Sequence, residues 1–245
     1  MQASRRPKGS PLCRWINGHA EPRLKLRAIA SSRGTEISRA FPGTTVHTSA
    51  QSLIGDPDID LVVVATPDAT HVALARAALL AGKHVVVDKP LAMSSAEAAV
   101  LLTLAQESKR VLTVFHNRRW DGDFKTVASV VRSGRLGDIR LAILSWDRFR
   151  PSVNLGWREQ STDPWGAILN LGPHLMDQAL LLFGKPTAVT AAVAIQRKEA
   201  RSPDYFAITL EYGSPRVLLR SRQGVAIRLA HNCRCRCTTH TDRRW

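Results

Sequence analysis

Residues 60–90 read DLVVVATPDATHVALARAALLAGKHVVVDKP, and this stretch decides the fold of the chain. It begins with an unbroken apolar, β-branched run at residues 61–65, which is typical of a strand buried on both faces. Apolar residues at roughly helical spacing follow as far as Gly82, which predicts a helix that Asp68 or Thr70 could cap. A second β-branched run then follows the helix. Strand, helix and strand in this order predict a right-handed βαβ unit of a parallel sheet.

Polar residues follow both predicted strands of this unit. Residues 66–68 read TPD after the first strand, and residues 88–90 read DKP after the second. Ligands of parallel sheets bind beyond the carboxyl ends of the strands, so these two segments are candidates for chemistry. Ordinary connecting loops carry the same residue types, and the pattern alone leaves both interpretations open.

The rest of the chain divides by its periodicity. Residues 1–22 are basic, have no helical or strand period, and are predicted to be unstructured. Residues 23–117 alternate strand and helix patterns, which predicts a Rossmann-like domain with a parallel sheet. Residues 118–230 contain one long helix pattern and then consecutive strand patterns, which predict an α/β domain with a mainly antiparallel open sheet. Residues 231–245 form a basic, Cys-rich tail.

The charge and the cysteines exclude several classes of protein. Residues 1–27 hold seven Lys or Arg and one acid, and residues 231–245 hold four and one, so the ends carry +9 of the net +15. Excess charge at the ends does not indicate specific nucleic-acid recognition. No apolar run is long enough for a membrane span or a signal peptide, so a cytoplasmic protein is expected. Cys233, Cys235 and Cys237 lack the spacing of common zinc sites, and no metal is predicted.

Two segments carry residues suited to proton transfer. Asn170, His174 and Asp177 are spaced four and three apart, which places them on one face of a helix predicted at residues 168–183. A buried histidine with satisfied partners would give the same pattern. Lys89 follows a strand, where removal from water eases proton exchange. Lys89 and His174 together would suit alcohol oxidation, provided that a hydride acceptor lies opposite.

Several separated motifs resemble the glucose–fructose oxidoreductase / inositol dehydrogenase (Gfo/Idh/MocA) family of NAD(P)-dependent oxidoreductases. They are residues 65–67 with His71, 81–84 leading into 88–90, 171–174 with Asp177, 116–123, 148–150 and 157–158. The similarity covers about residues 24–228. It implies a Rossmann domain followed by an α/β domain, and hydride transfer between a nicotinamide cofactor and a sugar, polyol or related hydroxy or keto compound. It also implies a homo-oligomer that associates through the open sheet.

The resemblance assigns roles to individual residues. Lys89 is expected to contact the reacting hydroxyl or carbonyl, and His174 to donate or accept the proton. Six further motif residues are expected to line the dinucleotide, with the last two near its nicotinamide end; they are Thr66, Pro67, His71, Asp88, Trp157 and Arg158.

The strand predicted at residues 24–30 corresponds to the second strand of a dinucleotide fold and bears on the choice of cofactor. Dinucleotide folds that take NAD usually place an acid at the end of this second strand, to bind the ribose hydroxyls. Here Ser32 and Arg33 offer a hydroxyl and a cation instead. This pair suits the 2′-phosphate of NADP, while NAD remains the alternative.

Three departures from the family pattern favour an alternative, a catalytically inactive remnant that binds a ligand or a partner. The chain has no G-x-G-x-x-G loop, so the first strand and the phosphate cradle are expected to be missing and neighbouring strands to lack a partner. Asn170 stands where the family usually has Asp, and an amide cannot stabilise a charged imidazole at His174 in the same way. Both ends look like unrelated sequence joined to a sensible core.

Overall fold

The computed structural model describes residues 23–150, 152–153 and 165–223. The chain forms two compact units, with the break between Phe115 and His116. Within the described ranges, no helix has the length and apolar character needed to cross a membrane. The last residues of the predicted open-sheet domain, 224–230, lie outside the described residues, as do the tail cysteines, Trp157 and Arg158.

The first unit alternates strands and helices, as its sequence predicts. Its elements are β1 (Ala28–Ala30), α1 (Gly34–Ala40), β2 (Thr45–His47), α2 (Ala50–Ile54), β3 (Leu61–Val64), α3 (His71–Leu80), β4 (His84–Val87), α4 (Ser95–Glu107) and β5 (Leu112–Val114). All strand pairs of this unit are parallel, which confirms the Rossmann-type α/β assignment.

The strands of the first unit form two separate sheets. One contains β1 and β2, and the other has the order β3-β4-β5. In a doubly wound sheet the first strand lies between the second and the fourth, which here correspond to β1 and β3. Among the described residues nothing pairs β1 with β3. The first strand would fall in residues 1–22, outside the described residues, so its absence stays a prediction.

The core of the first unit lies where β3 and β4 meet α3 and α4. Val62, Val85 and Val87 are at most 5% exposed and pack against Leu79 and Leu101 of the two helices. The residues that alternate with them are only half-buried, so β3 and β4 are fully buried on one face rather than on both.

The helix ends follow local chemistry, with one correction. Ser94 and Glu97 form the capping box at the start of α4. Thr70 precedes α3 but does not cap it, because its backbone is helical (φ −98°, ψ −8°) rather than extended; its hydroxyl donates to the carbonyl oxygen of Pro67 at 2.7 Å. A short 3₁₀ turn at Asp68–Thr70 leads into α3 instead of a side-chain cap. Past its end, Gly82 adopts a φ of 74°, which the chain reversal requires.

The second unit contains α5 (Gly122–Arg132), β6 (Leu141–Ser145), α6 (Ala167–Phe183), β7 (Ala188–Ala194), β8 (Tyr205–Glu211) and β9 (Arg216–Arg222). Its sheet has the order β6-β9-β8-β7. The β7–β8 and β8–β9 pairs are antiparallel and the β6–β9 pair is parallel, so the sheet is mixed but mainly antiparallel, as predicted.

Helix α6 covers one face of this sheet. Leu171 and Leu175 pack with Phe206 and Leu219, which are fully buried. Gly166 precedes the helix because a Cβ at this position would lie 2.2 Å from the carbonyl oxygen of Pro203. The opposite face carries exposed side chains. Association of copies of the chain through that face stays a prediction.

Candidate functional site

Both segments singled out in the first unit leave the same end of the sheet. Val64 lies opposite Val87 in the parallel pair β3–β4, so residues 66–68 and 88–90 follow neighbouring strands. The Thr66 hydroxyl lies 2.6 Å from that of Thr70 and is exposed. The structure therefore brings these two predicted segments to one edge of the sheet.

His71 joins the two segments. Its side chain is fully buried, with Nδ1 2.7 Å from the carbonyl oxygen of Pro90 and Nε2 3.0 Å from that of Thr66. A neutral imidazole donates through one nitrogen only, whereas the doubly protonated ring donates to both carbonyls. The sequence interpretation placed His71 on the dinucleotide. In the structure its ring is buried, where it fixes the backbone of the two segments that follow β3 and β4.

We call the His71 ring with its two carbonyl contacts the His71 clamp. Lys89 immediately precedes Pro90, one of the two residues whose carbonyl oxygens that ring contacts. It is 8% exposed, and its backbone N–H donates to the Asp88 carboxylate at 2.8 Å. The next residue supplies the carbonyl that His71 binds. Lys89 is thus largely removed from water at the carboxyl end of β4, the end of a parallel sheet at which ligands bind.

The residues predicted to select the cofactor follow β1. The backbone N–H of Arg33 donates to the Ser31 hydroxyl at 3.1 Å, which turns the chain after the strand. The Arg33 guanidinium lies 3.5 Å from the Glu36 carboxylate and its side chain is 47% exposed. Ser32 is exposed as well. A hydroxyl and an accessible guanidinium are the groups that bind a phosphate monoester.

The described residues offer groups for part of a dinucleotide. The segment after β1 suits the ribose with its 2′-phosphate, and Thr66 and Pro67 follow β3, an edge strand of the other sheet. A G-x-G loop, whose backbone would face the pyrophosphate, is not among the described residues.

In the second unit, α6 carries the three residues predicted to share a face. Asp177 is buried, and its two oxygens accept from Nε and Nη2 of Arg119, the former at 2.7 Å. This ion pair raises the pKa of Arg119 above its usual value. Asp177 is thereby committed to Arg119, which leaves His174 as the residue of this helix suited to proton transfer. Asn170 lies one turn before His174 and is half-buried.

His174 is 8% exposed and lies beside an aromatic ring. Its imidazole centroid is 5.8 Å from that of Trp146, at an angle of 39°. Two guanidinium groups lie over the same indole, Arg118 at 4.8 Å and Arg148 at 5.1 Å from its centroid. The pKa of Arg148 is lowered by burial first, and then by the positive charges of Arg150 and Arg118.

Arg118, Arg148 and Arg150 belong to motifs that resemble the family, but the sequence alone predicts no role for them. The available signal was the alternation of Trp146, Arg148 and Arg150, which places every second side chain of an extended segment on one face. For metals, the described part of the chain contains no group of three His, Cys, Asp or Glu side chains placed to hold an ion.

Both units of the chain match known proteins. Residues 14–116 match the family model described as an oxidoreductase family with an NAD-binding Rossmann fold, and residues 124–237 match the Gfo/Idh/MocA C-terminal domain. The uncharacterised oxidoreductase YdgJ of Escherichia coli is 46% identical over 198 residues, which are 81% of this chain and 57% of that protein. IolW of Bacillus subtilis, a scyllo-inositol 2-dehydrogenase (NADP(+)), is 41% identical over 195 residues, or 80% of this chain and 54% of IolW.

Solved structures show the same similarity. An oxidoreductase of Yersinia pestis superposes with a TM-score of 0.78 at 41% identity, covering 83% of this chain and 58% of that one. One from Klebsiella pneumoniae gives a TM-score of 0.75 at 43% identity, with coverage of 83% and 56%. The chain thus spans little more than half the length of the proteins it resembles.

Proposed function

Because the chain belongs to the Gfo/Idh/MocA family of oxidoreductases with an NAD-binding Rossmann fold, we propose that it transfers a hydride between a nicotinamide cofactor and a sugar, polyol or related hydroxy or keto compound. The observation that carries this proposal is the buried Lys89 at the end of β4, beside the His71 clamp. When bound, the nicotinamide supplies the hydride acceptor or donor. The relative IolW, named for scyllo-inositol, supports a polyol as the substrate.

The chain's own residues handle the oxygen and its proton. Lys89 donates a hydrogen bond to the reacting hydroxyl or carbonyl oxygen and holds it in place. His174 takes the hydroxyl proton in oxidation and returns it in reduction. Asn170 keeps the shape of the family's usual carboxylate without its charge, so we expect proton transfer at His174 to be slowed but not abolished.

We further propose NADP as the preferred cofactor, with NAD as the second candidate. Ser32 and Arg33 would bind the 2′-phosphate, and NADP appears in the name of the relative IolW. The other residues proposed to line the dinucleotide are Thr66, Pro67 and Asp88 in the first unit, and Trp157 and Arg158 near its nicotinamide end. His71 does not line the dinucleotide in this proposal. It is a positioning residue, because its ring contacts the backbone carbonyl oxygens of Thr66 and Pro90 in the segments that carry Thr66 and Lys89.

The test begins with binding. The purified chain, shown to be folded by circular dichroism, is titrated with NADPH and NADH while the fluorescence of the reduced nicotinamide is followed. Saturable binding, tighter for NADPH, is the expected result. Without saturation by either cofactor, the oxidoreductase proposal is wrong for this chain, and a ligand-binding remnant without catalysis replaces it.

Turnover is then measured with a panel of neutral and acidic sugars and polyols. Lys89→Ala should abolish turnover of the best substrate while leaving the affinity for NADPH unchanged. Lys83→Ala is the matched control, because Lys83 is also buried but its Nζ donates to the carbonyl oxygen of Asp56 at 2.8 Å. Equal losses in the two variants would contradict the role of Lys89.

A further inference from the structure

The second unit gathers positive charge around Trp146, whose ring neighbours His174. Arg118 comes from the 3₁₀ turn Asn117–Trp120, and Arg148 from the segment that continues β6. Both guanidinium groups lie within about 5 Å of the centre of the Trp146 ring, which in turn neighbours the His174 imidazole. We call Arg118, Trp146 and Arg148 the arginine–tryptophan cluster.

The backbone that carries this cluster is fixed. Beyond β6, the N–H groups of Trp146, Arg148 and Arg150 donate in turn to carbonyl oxygens of the neighbouring β9 and the residue after it, at 2.7–3.0 Å. The segment is therefore extended, and its alternate side chains point to the face on which α6 packs. Arg197 holds the end of the segment, because its Nη1 donates to the carbonyl oxygens of Arg150 and Ser152.

The acids nearby are occupied elsewhere. Asp147 pairs with Arg222 at 2.8 Å and with Arg220 at 3.7 Å, on the opposite face of the sheet. Asp177 pairs with Arg119. Within the described residues, Arg148 has no carboxylate partner.

Arg118 is only partly neutralised. Its Nη1 donates to Asp121 at 2.8 Å, while its Nε is buried and meets no hydrogen-bond partner in the part of the chain that the structure describes. Like charges held together beside a buried histidine are unfavourable unless a counter-charge joins them. The lowered pKa of Arg148, caused by burial and by its cationic neighbours, reports the same crowding.

We propose that the arginine–tryptophan cluster binds an anionic group of the substrate, a carboxylate or a phosphate, and so positions the reacting carbon at His174. A guanidinium fork matches both anions, and partial burial strengthens the contact. That the bound anion belongs to a substrate rests on the proposed function. Binding of the anion itself does not. An anion site narrows the substrate to acidic or phosphorylated sugars and polyols, in contrast to the neutral inositol named for IolW.

The binding test uses the full chain without any nicotinamide cofactor, so that it does not depend on the proposed hydride transfer. Ligand-observed NMR titrations compare D-glucose, D-glucuronate and D-glucose 6-phosphate, which share one ring and differ in the group at C6. We expect saturable binding of at least one anionic sugar and none of D-glucose. Whichever of D-glucuronate and D-glucose 6-phosphate binds more tightly identifies the group as a carboxylate or a phosphate. Equal binding of all three sugars, or binding of neither anion, would overturn the proposal.

Arg148→Gln should weaken binding of the anionic sugar about ten- to hundredfold, which is the range for loss of a charge-assisted hydrogen bond. Arg148→Lys should recover part of that loss, because it keeps the charge without the fork. Arg140→Gln removes the same charge from a side chain that is 76% exposed and should leave binding unchanged. Thermal melts establish that each variant is folded, and Arg118→Gln replaces Arg148→Gln if the latter is not.

The source of the anion is decided by a second titration, with NADPH. Weaker binding of NADPH to Arg148→Gln, with unchanged binding of both anionic sugars, would show that the cluster serves a cofactor phosphate, and the proposal would be wrong. If no cofactor binds but Arg148 controls binding of the anionic sugar, the anion site stands and only the oxidoreductase proposal fails.

Discussion

Replacing Asp204 by Ala should destabilise the second unit more than removal of any exposed carboxylate. The Asp204 carboxylate accepts three hydrogen bonds. One comes from Nε of Arg197 at 2.7 Å, and the others come from the backbone N–H groups of Gln196 and Arg197 at 2.7 and 3.1 Å. The side chains of the ion pair are 4% and 5% exposed. Asp204 thus neutralises a buried guanidinium and also fixes the backbone that follows β7.

The size of the effect follows from the burial. Removal of one partner of a buried ion pair leaves an uncompensated charge out of water, which costs about 3–5 kcal/mol. The more exposed pair of Arg216 and Glu211, with side chains 65% and 31% exposed, is the matched control. With 65% of the Arg216 side chain exposed, Glu211→Ala should cost about 0–1 kcal/mol.

Urea unfolding followed by tryptophan fluorescence measures both variants, because Trp120, Trp146 and Trp165 all lie in the second unit. Adding Arg197→Met to Asp204→Ala should recover part of the lost free energy of unfolding, since the stranded cation is removed as well. The reasoning is refuted if Asp204→Ala and Glu211→Ala have equal effects, or if the double variant is less stable than Asp204→Ala alone.

Three further outcomes are expected. Leu79→Ala should lower the free energy of unfolding of the first unit by about 2–5 kcal/mol, because Leu79 is 1% exposed. Its neighbour Leu80 is 59% exposed, so Leu80→Ala should have little effect. Chemical denaturation of the two variants measures the difference. Ser94→Ala removes the capping box of α4 and should cost about 1 kcal/mol, seen as a lower melting temperature. Burial raises the pKa of Tyr212 above its usual value, so the unfolded chain loses this proton first as the pH rises above about 10. Stability should therefore fall in that range, and it should fall less in Tyr212→Phe; parallel curves for the two proteins would show that Tyr212 makes no such contribution.

The elements that the sequence predicts well are those with a strong local period. The βαβ unit at residues 60–90 appears as β3, α3 and β4, and the capping box at Ser94 begins α4 as expected. The start of α3 was predicted less well. Thr70 has the residue type of a cap, but its backbone is already helical within the 3₁₀ turn, whereas a capping residue is extended. That local backbone conformation cannot be decided from residue types alone.

The role of His71 shows a different limit of sequence reasoning. Its place in a motif indicates importance, and the family pattern suggested contact with the cofactor. Its function in the fold depends on the Thr66 and Pro90 carbonyl oxygens, the latter nineteen residues away, both within hydrogen-bond distance of one ring. The register of β3 with β4 creates this arrangement, and that register is a tertiary property.

The charge of the proposed anion site is hidden from the sequence for a related reason. A count of ionisable residues assigns most of the excess positive charge to the two ends, which makes the rest of the chain look nearly balanced. Balance over a long segment says nothing about where the counter-charges lie. Alternation along the continuation of β6 sends Asp147 to one face of the sheet and Arg148 to the other, so residues adjacent in sequence do not neutralise each other. The separation of charge that makes an anion site beside His174 is thus a consequence of the pleat.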